Sequence, residues 1–380
     1  MANRIHIITF QVPYPADYGG VIDIYYKAKA LKEAGYNVVL HCFAYKGRDF
    51  QKELLDIADE VYVYKRNTCW LNRLGIMPYI VKSRKSKELL ARLQKDDAPI
   101  LFEGLHTCYY LDSPLLKDRK KFVRAHNVES DYYYYLSGTT ISIKKKIFFL
   151  VESWRLKRYE NILKSADIIF SITEKDRKYF ANRFPNTDVR LLPCFHNGAD
   201  DIDPTLKKGS GKYLLYHGNL SVEENINAVY YLAERIIPRM PTVKWVIAGN
   251  KPPQELYDVV KELQNVTVVP NPSIKKMTKL ITEANANVLI TFQSTGIKLK
   301  LLNALYKGGF CIVNDKMTES TGVGELCRVT HSDSDLVNAL NEVFGKKYDE
   351  KEEQKRIELL NKYYNNEVNI KILAEAIDNA

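Results

Sequence analysis

Residues 295–314 read TGIKLKLLNALYKGGFCIVN and carry the most structural information in the chain. A glycine opens a helical pattern, Gly308 and Gly309 end it, and a short apolar strand pattern follows. A helix N-terminus carries free N–H groups and partial positive charge, so it can bind an anion such as a diphosphate. Lys298 and Lys300 lie in the first predicted turn, where a cation opposes the helix dipole. A bound anion explains their position better than helix stability does.

Short β-rich apolar segments alternate with longer helical patterns on the N-terminal side of this stretch and beyond it. The predicted strands are 4–10, 37–44, 60–64, 99–103, 121–125, 167–172, 212–217, 243–248, 265–269, 286–292, 310–314 and 326–330. The predicted helices are 20–35, 50–58, 84–95, 142–165, 173–183, 222–238, 252–263, 274–284, 296–307 and 333–344. Such alternation indicates parallel, doubly wound sheets with helices on both faces. The pattern occurs twice, which predicts an α/β protein with two Rossmann-like domains.

The length of 380 residues favours two domains, because single cores stop growing near ~250–300 residues. Turn-forming residues are concentrated at 194–211, where we place the boundary. The predicted domains are 1–195 and 196–350, followed by a helical tail, 351–380, that crosses back to the first domain. Ligands of such sheets bind outside the carboxyl ends of the strands. We therefore expect the functional residues directly after strands, in a cleft that the two domains face.

The composition is that of an ordinary globular protein, with 46% hydrophobic and 27% charged residues. No run approaches the ~18 apolar residues of a membrane span, and the N-terminus is too short and polar for a signal peptide. The six scattered cysteines contain no Cys-x-x-Cys pair, which favours reduced cysteines and a cytoplasmic location. Asp-x-Asp triplets at 201–203 and 333–335 lie in the predicted linker and at a predicted helix N-cap. We expect no bound metal.

The net charge of +10 is unevenly distributed. Residues 1–195 hold 33 Lys and Arg against 22 Asp and Glu, whereas residues 196–380 hold 23 against 24. A basic half indicates an anionic partner, such as a phospholipid surface or a lipid-pyrophosphate acceptor, or simply a solvated basic surface. Residues 141–160 combine basic and aromatic residues and fit either an anionic membrane surface or packing on their own domain. Nucleic acid is not favoured, because no groove-reading motif is present.

Two glycines follow the first predicted strand, in the loop VPYPADYGG at 12–20. Gly19 and Gly20 let the backbone approach a ligand closely, and the following helix start offers N–H donors. Glu103 and His106 follow the strand 99–103, where they form either a polar cluster in the cleft or backbone and helix caps. Both interpretations of this pair stay open.

The sequence RAHNVE at 124–129 places His126, Asn127 and Glu129 after the strand 121–125. A histidine at this point can donate to a sugar hydroxyl or to a developing charge. His126 is therefore the first candidate among catalytic residues.

The second predicted domain opens with YHGNLSVEEN at 216–225, between a strand and a helix. This loop supplies Gly218, Asn219 and Asn225, and Ser221 and Glu224 have the spacing of a capping box. Gly249 and Pro270 end two further strands, although both lie in common βα-turn sequences.

These motifs together resemble the donor-side and acceptor-side motifs of GT-B glycosyltransferases of the family-4 type, over most of the chain. The similarity is to a bacterial subgroup that carries Arg-x-His-Asn-x-Glu, Gly-Asn-Leu-Ser-x-x-Glu-Asn and Thr-Gly-Ile-Lys-Leu-Lys. The commoner members have two glutamates at the positions of Gly296 and Asn303, and an arginine and a lysine at those of Asn219 and Glu224. This chain therefore keeps the frame of the donor motif without its usual charged residues.

The resemblance implies sugar transfer with retention from a UDP- or GDP-linked sugar, without a metal or another cofactor, to a glycan or lipid-pyrophosphate acceptor in bacterial surface-polysaccharide synthesis. His126 would contact the donor sugar, and Lys298 and Lys300 would stabilise the leaving diphosphate. The expected donor-binding residues are Gly19, Gly20, Gly218, Asn219, Glu224, Asn225, Gly249, Pro270, Gly296, Lys300 and Asn303. The expected acceptor-side residues are Glu103, His106, Asn127 and Glu129.

Two other functions are compatible with the sequence. Loss of the usual charged residues favours a non-catalytic GT-B protein that binds sugar nucleotides or partner enzymes, whereas the two lysines and His126 favour an enzyme. A sugar-nucleotide epimerase on the same fold is a weaker alternative.

Overall fold

The computed structural model describes residues 3–45, 47–140, 142–198, 202–293, 298–319 and 321–379. It divides into two compact units: Met1–His196 with Tyr364–Ala380, and Asn197–Tyr363. Within the described residues, no helix combines the length and the apolar character that crossing a membrane requires.

The first unit is built on a seven-stranded parallel sheet in the order β3-β2-β1-β4-β5-β6-β7. Its strands are β1 (Arg4–Thr9), β2 (Asn37–Ala44), β3 (Glu60–Lys65), β4 (Ile100–Glu103), β5 (Lys121–Ala125), β6 (Ile168–Ser171) and β7 (Asp188–Leu191). Its helices are α1 (Gly19–Glu33), α2 (Tyr79–Lys82), α3 (Lys87–Leu93), α4 (Glu129–Thr139), α5 (Ile143–Tyr159), α6 (Glu174–Arg183) and α14 (Asn366–Asp378).

The second unit is built on a six-stranded parallel sheet in the order β10-β9-β8-β11-β12-β13. Its strands are β8 (Leu214–Asn219), β9 (Trp245–Asn250), β10 (Val266–Pro270), β11 (Ala286–Leu289), β12 (Phe310–Asn314) and β13 (Arg328–Thr330). Its helices are α7 (Glu223–Tyr231), α8 (Gln254–Val260), α9 (Ile274–Glu283), α10 (Leu299–Lys307), α11 (Asp315–Thr318), α12 (Asp333–Val343) and α13 (Glu350–Tyr364).

The central strands of both sheets are covered on both faces, which is why they are continuous apolar runs. In the first unit, Ile5 and Ile7 pack with α1 and α14, while Ile8 packs in the apolar cluster on the opposite face. In the second unit, Trp245 and Ile247 of β9 are fully buried in an apolar cluster. Because the strands are parallel, their carboxyl ends lie along one edge of each sheet, which is where ligands of this architecture bind.

All twelve strands predicted from the apolar patterns of the sequence are present in the structure. The structure adds β7, which is a short, largely exposed edge strand without a buried apolar run. It also adds α4, whose first residue is Glu129 and which contains four consecutive tyrosines without a clear apolar face.

The C-terminal residues are shared between the two units. Arg356 of α13 donates to the carbonyls of Gly308 and Gly309, at 3.2 and 2.7 Å, within the second unit. Helix α14 packs against α1, and its Asp378 accepts hydrogen bonds from Asn3 and Tyr36 at 2.7 and 2.6 Å. Of the predicted tail 351–380, the first unit therefore contains the part from Tyr364 onward.

Candidate functional site

A buried network of charged side chains lies at the carboxyl ends of β1, β4 and β5. Lys27 contacts Asp23 at 2.9 Å and Glu103 at 2.8 Å, and Arg124 contacts Asp23 at 3.0 Å. The side chains of these four residues are at most 1% exposed. Two carboxylates and two cations compensate each other, which is the condition for burying so many charges. Burial opposes ionisation of Asp23, but Arg124 and Lys27 outweigh it and hold the pKa of Asp23 far below its usual value.

His126 is attached to this network through Glu103. Its Nε2 atom lies 2.8 Å from Glu103 Oε2, and because an ionised carboxylate only accepts, Nε2 carries the proton. Burial opposes ionisation of Glu103, but Lys27 and the His126 hydrogen bond outweigh it and lower the pKa of Glu103. Nδ1 is 4.0 Å from Asp23, beyond hydrogen-bond distance, so this is the ring nitrogen that can contact a ligand. Glu103 thus positions His126.

Asp23, Glu103 and His126 bring three possible metal-ligand atoms within 4.8 Å of one another. Their carboxylates are already paired with Lys27 and Arg124. A cation would have to displace an ammonium or a guanidinium group from a network whose charges are balanced. The residues present therefore fit a network that orients His126 better than a metal centre.

The other predicted acceptor-side residues surround a second, less polar position. His106 Nδ1 lies 3.9 Å from Glu129 Oε1, and Asn127 is close enough to Glu129 to affect its pKa. Burial raises the pKa of Glu129 to about 8, although Asn127 and Arg84 oppose it. Burial, with Arg84 and Arg66 nearby, holds the pKa of His106 well below its usual value. Both groups are therefore largely uncharged near neutral pH.

The two glycines of the first loop begin α1, whose first turn has no side-chain cap. A Cβ atom at Gly20 would lie 2.6 Å from the Phe10 ring, which in turn lies beside His106 and His126, with centroid distances of 5.2 and 5.5 Å. Gly20 therefore allows close packing of the helix start on the ring that borders both histidines.

In the second unit, Glu224 is bound by residues from two other segments. Thr291 Oγ1 and Gln293 Nε2 donate to its carboxylate, and Lys298 Nζ lies 3.5 Å away. The predicted capping box with Ser221 is wrong, because α7 begins at Glu223 without a side-chain cap and the Glu224 carboxylate reaches the loop after β11 instead. Glu224 is only 12% exposed, so its partners are needed to keep it ionised.

Lys300 completes this group, which we call the lysine site: Glu224, Lys298 and Lys300. Lys300 Nζ lies 2.8 Å from Asn225 Oδ1 and 5.2 Å from the centre of the Tyr216 ring. Burial lowers the pKa of Lys300 to about 8, with Glu224 opposing the shift and Lys298 adding to it. Burial likewise lowers the pKa of Lys298. Burial opposes ionisation of Glu224, but Lys298 and Lys300 outweigh it and lower its pKa. Among the described residues, Glu224 is thus an acidic neighbour that both lysines share.

The remaining predicted donor-binding residues have mixed surroundings. Asn219 accepts hydrogen bonds from the Ser221 N–H and hydroxyl, at 3.0 and 2.7 Å, and so stabilises its own turn. A Cβ atom at Gly249 would lie 1.9 Å from the Gly218 carbonyl oxygen, which explains this glycine by strand packing. Pro270 is exposed at the end of β10.

The stretch at 295–314 is partly described. Gly296, predicted to bind the donor, lies outside the described residues. Lys298 is the N-cap residue of α10, and Asn303 is half-buried within that helix. Lys298 and Lys300 lie together beside Glu224.

Several members of these clusters were not among the predicted site residues. Asp23 and Lys27 are four residues apart on the buried face of α1, and a buried charged pair within an apolar helix face was the signal available for them. Thr291 lies near the end of the predicted strand 286–292 and Gln293 directly follows it, but their convergence on Glu224 depends on tertiary structure.

The chain has the GT-B fold. It is similar to sucrose-phosphate synthase from Thermosynechococcus elongatus, with a TM-score of 0.75, 14% identity and coverage of 99% of this chain and 98% of that one. TarM from S. aureus, in complex with fondaparinux, α-GlcNAc-glycerol and UDP, gives a TM-score of 0.70, 11% identity and coverage of 99% and 100%. HepE from Anabaena, in complex with UDP and glucose, gives a TM-score of 0.70, 12% identity and full coverage of both chains, 100% each.

In sequence, the chain is 24% identical over 369 residues to an uncharacterised 44.6 kDa protein in a cps region of Klebsiella pneumoniae. The match covers 91% of this chain and 89% of that protein. No protein-family model matches the sequence.

Proposed function

We propose that this chain is a retaining glycosyltransferase that moves a sugar from a nucleoside diphosphate to a glycan or lipid-linked acceptor in surface-polysaccharide synthesis. The lysine site carries the proposal, because two largely buried lysines lie beside the Glu224 carboxylate and burial opposes the charge of both. A diphosphate at this position would add negative charge beside both lysines and so favour their charged forms. Neighbours solved with UDP and a relative from a cps region support the same class of reaction.

In this proposal, the donor diphosphate takes Lys298 and Lys300 as its cationic partners. Negative charge on the leaving diphosphate grows as the glycosidic bond breaks, so cations already in place stabilise the transition state more than the ground state. Glu224 keeps the two ammonium groups close together before the donor binds. Asn303 is proposed to contact the ribose, because its amide can accept from hydroxyl groups. We further propose that Pro270, Gly218 and Gly249 form the nucleotide end of the site.

His126 is proposed to contact the transferred sugar through Nδ1. Support comes from the fixed orientation of its ring, in which Glu103 holds Nε2 and the Asp23–Lys27–Arg124 network holds Glu103. A preorganised ring does not have to reorient as charge develops on the sugar. This role also rests on the resemblance of the surrounding RAHNVE motif to the glycosyltransferase subgroup.

The competing function is that of a GT-B protein that binds nucleotides or partner enzymes without turnover. The replacement of the usual charged residues by Asn219, Glu224 and Asn303 favours this alternative. Thermal unfolding in the presence of UDP, GDP and their sugars distinguishes the candidates. A ligand that binds the folded state stabilises it by RT ln(1 + [L]/Kd). We expect a concentration-dependent rise in Tm with one nucleotide and its sugar, followed by sugar release or transfer. Absence of a shift with every nucleotide would favour the scaffold.

A further inference from the structure

Two arginines of the first unit are buried without an acidic partner. Arg66 is 8% exposed and Arg84 is 5% exposed, and no carboxylate of the described residues forms an ion pair with either one. Arg119 and Arg124 of the same unit, which are also buried, pair with Asp96 and Asp23. Charged groups are rarely buried unless they are paired, so this exception requires an explanation.

Neutral groups hold both guanidinium groups in place. Arg84 Nε donates to the Phe10 carbonyl at 2.9 Å, and Arg66 Nε donates to Ser83 Oγ at 2.9 Å. The Arg66 guanidinium also lies over the Tyr45 ring, at 4.3 Å from its centre. These contacts orient the groups but do not neutralise them, and they use only part of the five N–H donors of each guanidinium.

The titratable neighbours do not neutralise the pair either. The Arg84 charge acts on the Glu129 carboxyl, but burial dominates and raises the pKa of Glu129 to about 8. His106 has a pKa well below its usual value because of burial and the two arginines. Burial and the Arg66 charge lower the pKa of Arg84 to about 9. Near neutral pH the surroundings of Arg66 and Arg84 therefore carry an excess of positive charge.

We infer that Arg66 and Arg84 bind a phosphate or diphosphate group of the acceptor. The inference rests on the proposed function, because only an acceptor with a phosphate gives this group a role in sugar transfer. The planar guanidinium forks match phosphate oxygens in geometry and charge. Arg84 is bound to the carbonyl of Phe10, whose ring borders His106 and His126, so the phosphate would lie next to the proposed catalytic histidine.

The test uses the full chain with Lys298→Ala and Lys300→Ala, which removes the donor-side cations. Calorimetric titration with inorganic pyrophosphate and with a short prenyl diphosphate is expected to show binding of both, and at least tenfold weaker binding after Arg66→Gln or Arg84→Gln. Tighter binding of the prenyl compound would identify a lipid acceptor, and equal binding a soluble phosphate. Arg177→Gln, at a partly exposed pair with Glu174, is the control.

A second readout keeps the inference testable if one variant folds poorly. Because an uncompensated buried cation destabilises the ligand-free protein, Arg66→Gln is expected to raise Tm without ligand and to abolish the rise that pyrophosphate causes. A lower Tm with unchanged pyrophosphate affinity would mean that the pair is structural and would overturn the inference. If pyrophosphate binds here but no nucleotide binds the unmodified chain, the proposed function fails and the anion site stands.

A separate observation concerns the surface of the same unit. Large apolar side chains are exposed in the loop before α2 and along one side of α5, and we call them the apolar rim: Trp70, Leu71, Leu74, Ile76, Ile143, Ile147, Leu150, Val151 and Trp154. Their exposed fractions run from 40% for Val151 to 74% for Ile143, with 66% for Trp70 and 58% for Trp154. The α5 members recur at helical spacing, so they form one continuous stripe.

The two parts of the rim are joined. Arg155 of α5 donates to the Arg73 carbonyl at 2.9 Å, and the Arg73 guanidinium lies over the Phe148 ring, 5.7 Å from its centre. Exposed basic residues lie at both ends of α5: Lys144, Lys145 and Lys146 at the start, and Lys157 and Arg158 at the end. A contiguous exposed apolar surface marks an interaction site, and the basic residues at its border favour an anionic partner.

We propose that the apolar rim docks on an anionic phospholipid bilayer. Aromatic residues such as Trp70 and Trp154 favour the bilayer interface, aliphatic residues insert below it, and the lysines contact the headgroups. This proposal deepens the proposed function, since it places the first unit where a lipid-linked acceptor is presented.

Vesicle flotation tests the docking surface. The unmodified chain is expected to float with phosphatidylcholine vesicles containing phosphatidylglycerol and much less with phosphatidylcholine alone. Trp70→Ser with Trp154→Ser should reduce the bound fraction at least fivefold, whereas Ile274→Ser, at an apolar side chain of the second unit that is 56% exposed, should not. The docking proposal would be overturned if all variants floated equally, or if the unmodified chain self-associated without binding vesicles. Loss of nucleotide binding is a separate result that concerns only the proposed function.

Discussion

The pKa of Lys300 gives the proposed donor site a pH dependence that can be measured. Burial lowers this pKa to about 8 in the ligand-free protein, so about nine-tenths of Lys300 is protonated at pH 7 and about one-tenth at pH 9. Only the protonated form attracts a diphosphate. Because the apparent Kd is the intrinsic value divided by the competent fraction, affinity for the preferred nucleoside diphosphate is expected to fall about tenfold from pH 7 to pH 9.

The perturbation is the exchange of this one side chain. Lys300→Arg should keep more of the positive charge at pH 9, because a guanidinium has a higher pKa than an ammonium group before burial lowers it. Its affinity should therefore vary less between pH 7 and pH 9 than that of the unmodified chain. Lys300→Met should bind at least tenfold more weakly at pH 7, as expected for the loss of a charge-assisted hydrogen bond of about 1.5–3 kcal/mol. Lys279→Met, at an exposed pair with Glu283, is the control.

Isothermal titration calorimetry with UDP and GDP at four pH values measures these effects. The sign for stability is opposite to that for binding. The folded-state pKa of Lys300 lies below the unfolded value, so its charge destabilises the ligand-free protein below pH 8, and this penalty disappears as the pH rises toward 10. A Kd of the unmodified chain that stays within twofold from pH 7 to pH 9, or a Lys300→Arg variant with the same slope as the unmodified chain, would refute this reasoning.

Three further predictions concern side chains of the individual units. In the unmodified chain, the raised folded-state pKa of Glu129 should lower the free energy of unfolding by roughly 3–5 kcal/mol as the pH rises from about 4.5 to about 8, and Glu129→Gln should remove this pH dependence. Urea unfolding across this pH range measures the effect, and an unchanged pH dependence in the variant would argue against burial of this carboxyl. Lys27→Met should lower the free energy of unfolding by about 3–5 kcal/mol, because it leaves the carboxylates of Asp23 and Glu103 undercompensated. In a double-mutant cycle, adding Glu103→Gln should restore part of this loss, and additive losses would contradict the network. Gly249→Ala should lower the free energy of unfolding by at least about 2 kcal/mol, because the new Cβ atom would collide with the Gly218 carbonyl. A loss below about 0.5 kcal/mol in urea unfolding would contradict the close approach of β8 and β9.

The fold followed from periodicity, because buried parallel strands are apolar runs and their crossover helices are long. What the sequence did not reveal depends on distant side chains. The pairing of Glu224 with Lys298 joins segments more than 70 residues apart, and local spacing instead suggested a cap with Ser221. Local charge patterns also could not reveal that Lys27 lies between two carboxylates.

The site predictions share this division. His126 could be proposed from the sequence because a histidine directly after a parallel strand lies at the ligand-binding edge of the sheet. Its orientation by Glu103 became visible only in the 2.8 Å contact between the two side chains. Arg66 and Arg84 gave no sequence signal, since lysines and arginines are common at this density in a basic domain. Their burial without carboxylates is a property of the folded unit alone.

Transfer of a labelled sugar tests the central claim most directly. The unmodified chain is incubated with labelled UDP- and GDP-sugars and with lipid extract from bacteria that make a capsule, and the extract is then analysed for labelled lipid. One nucleotide sugar is expected to give a labelled product with retained anomeric configuration, and His126→Ala should abolish the product while leaving the nucleotide Kd within about twofold. Nucleotide binding without any labelled product, from every donor and in the presence of acceptor, would contradict the assignment as a glycosyltransferase.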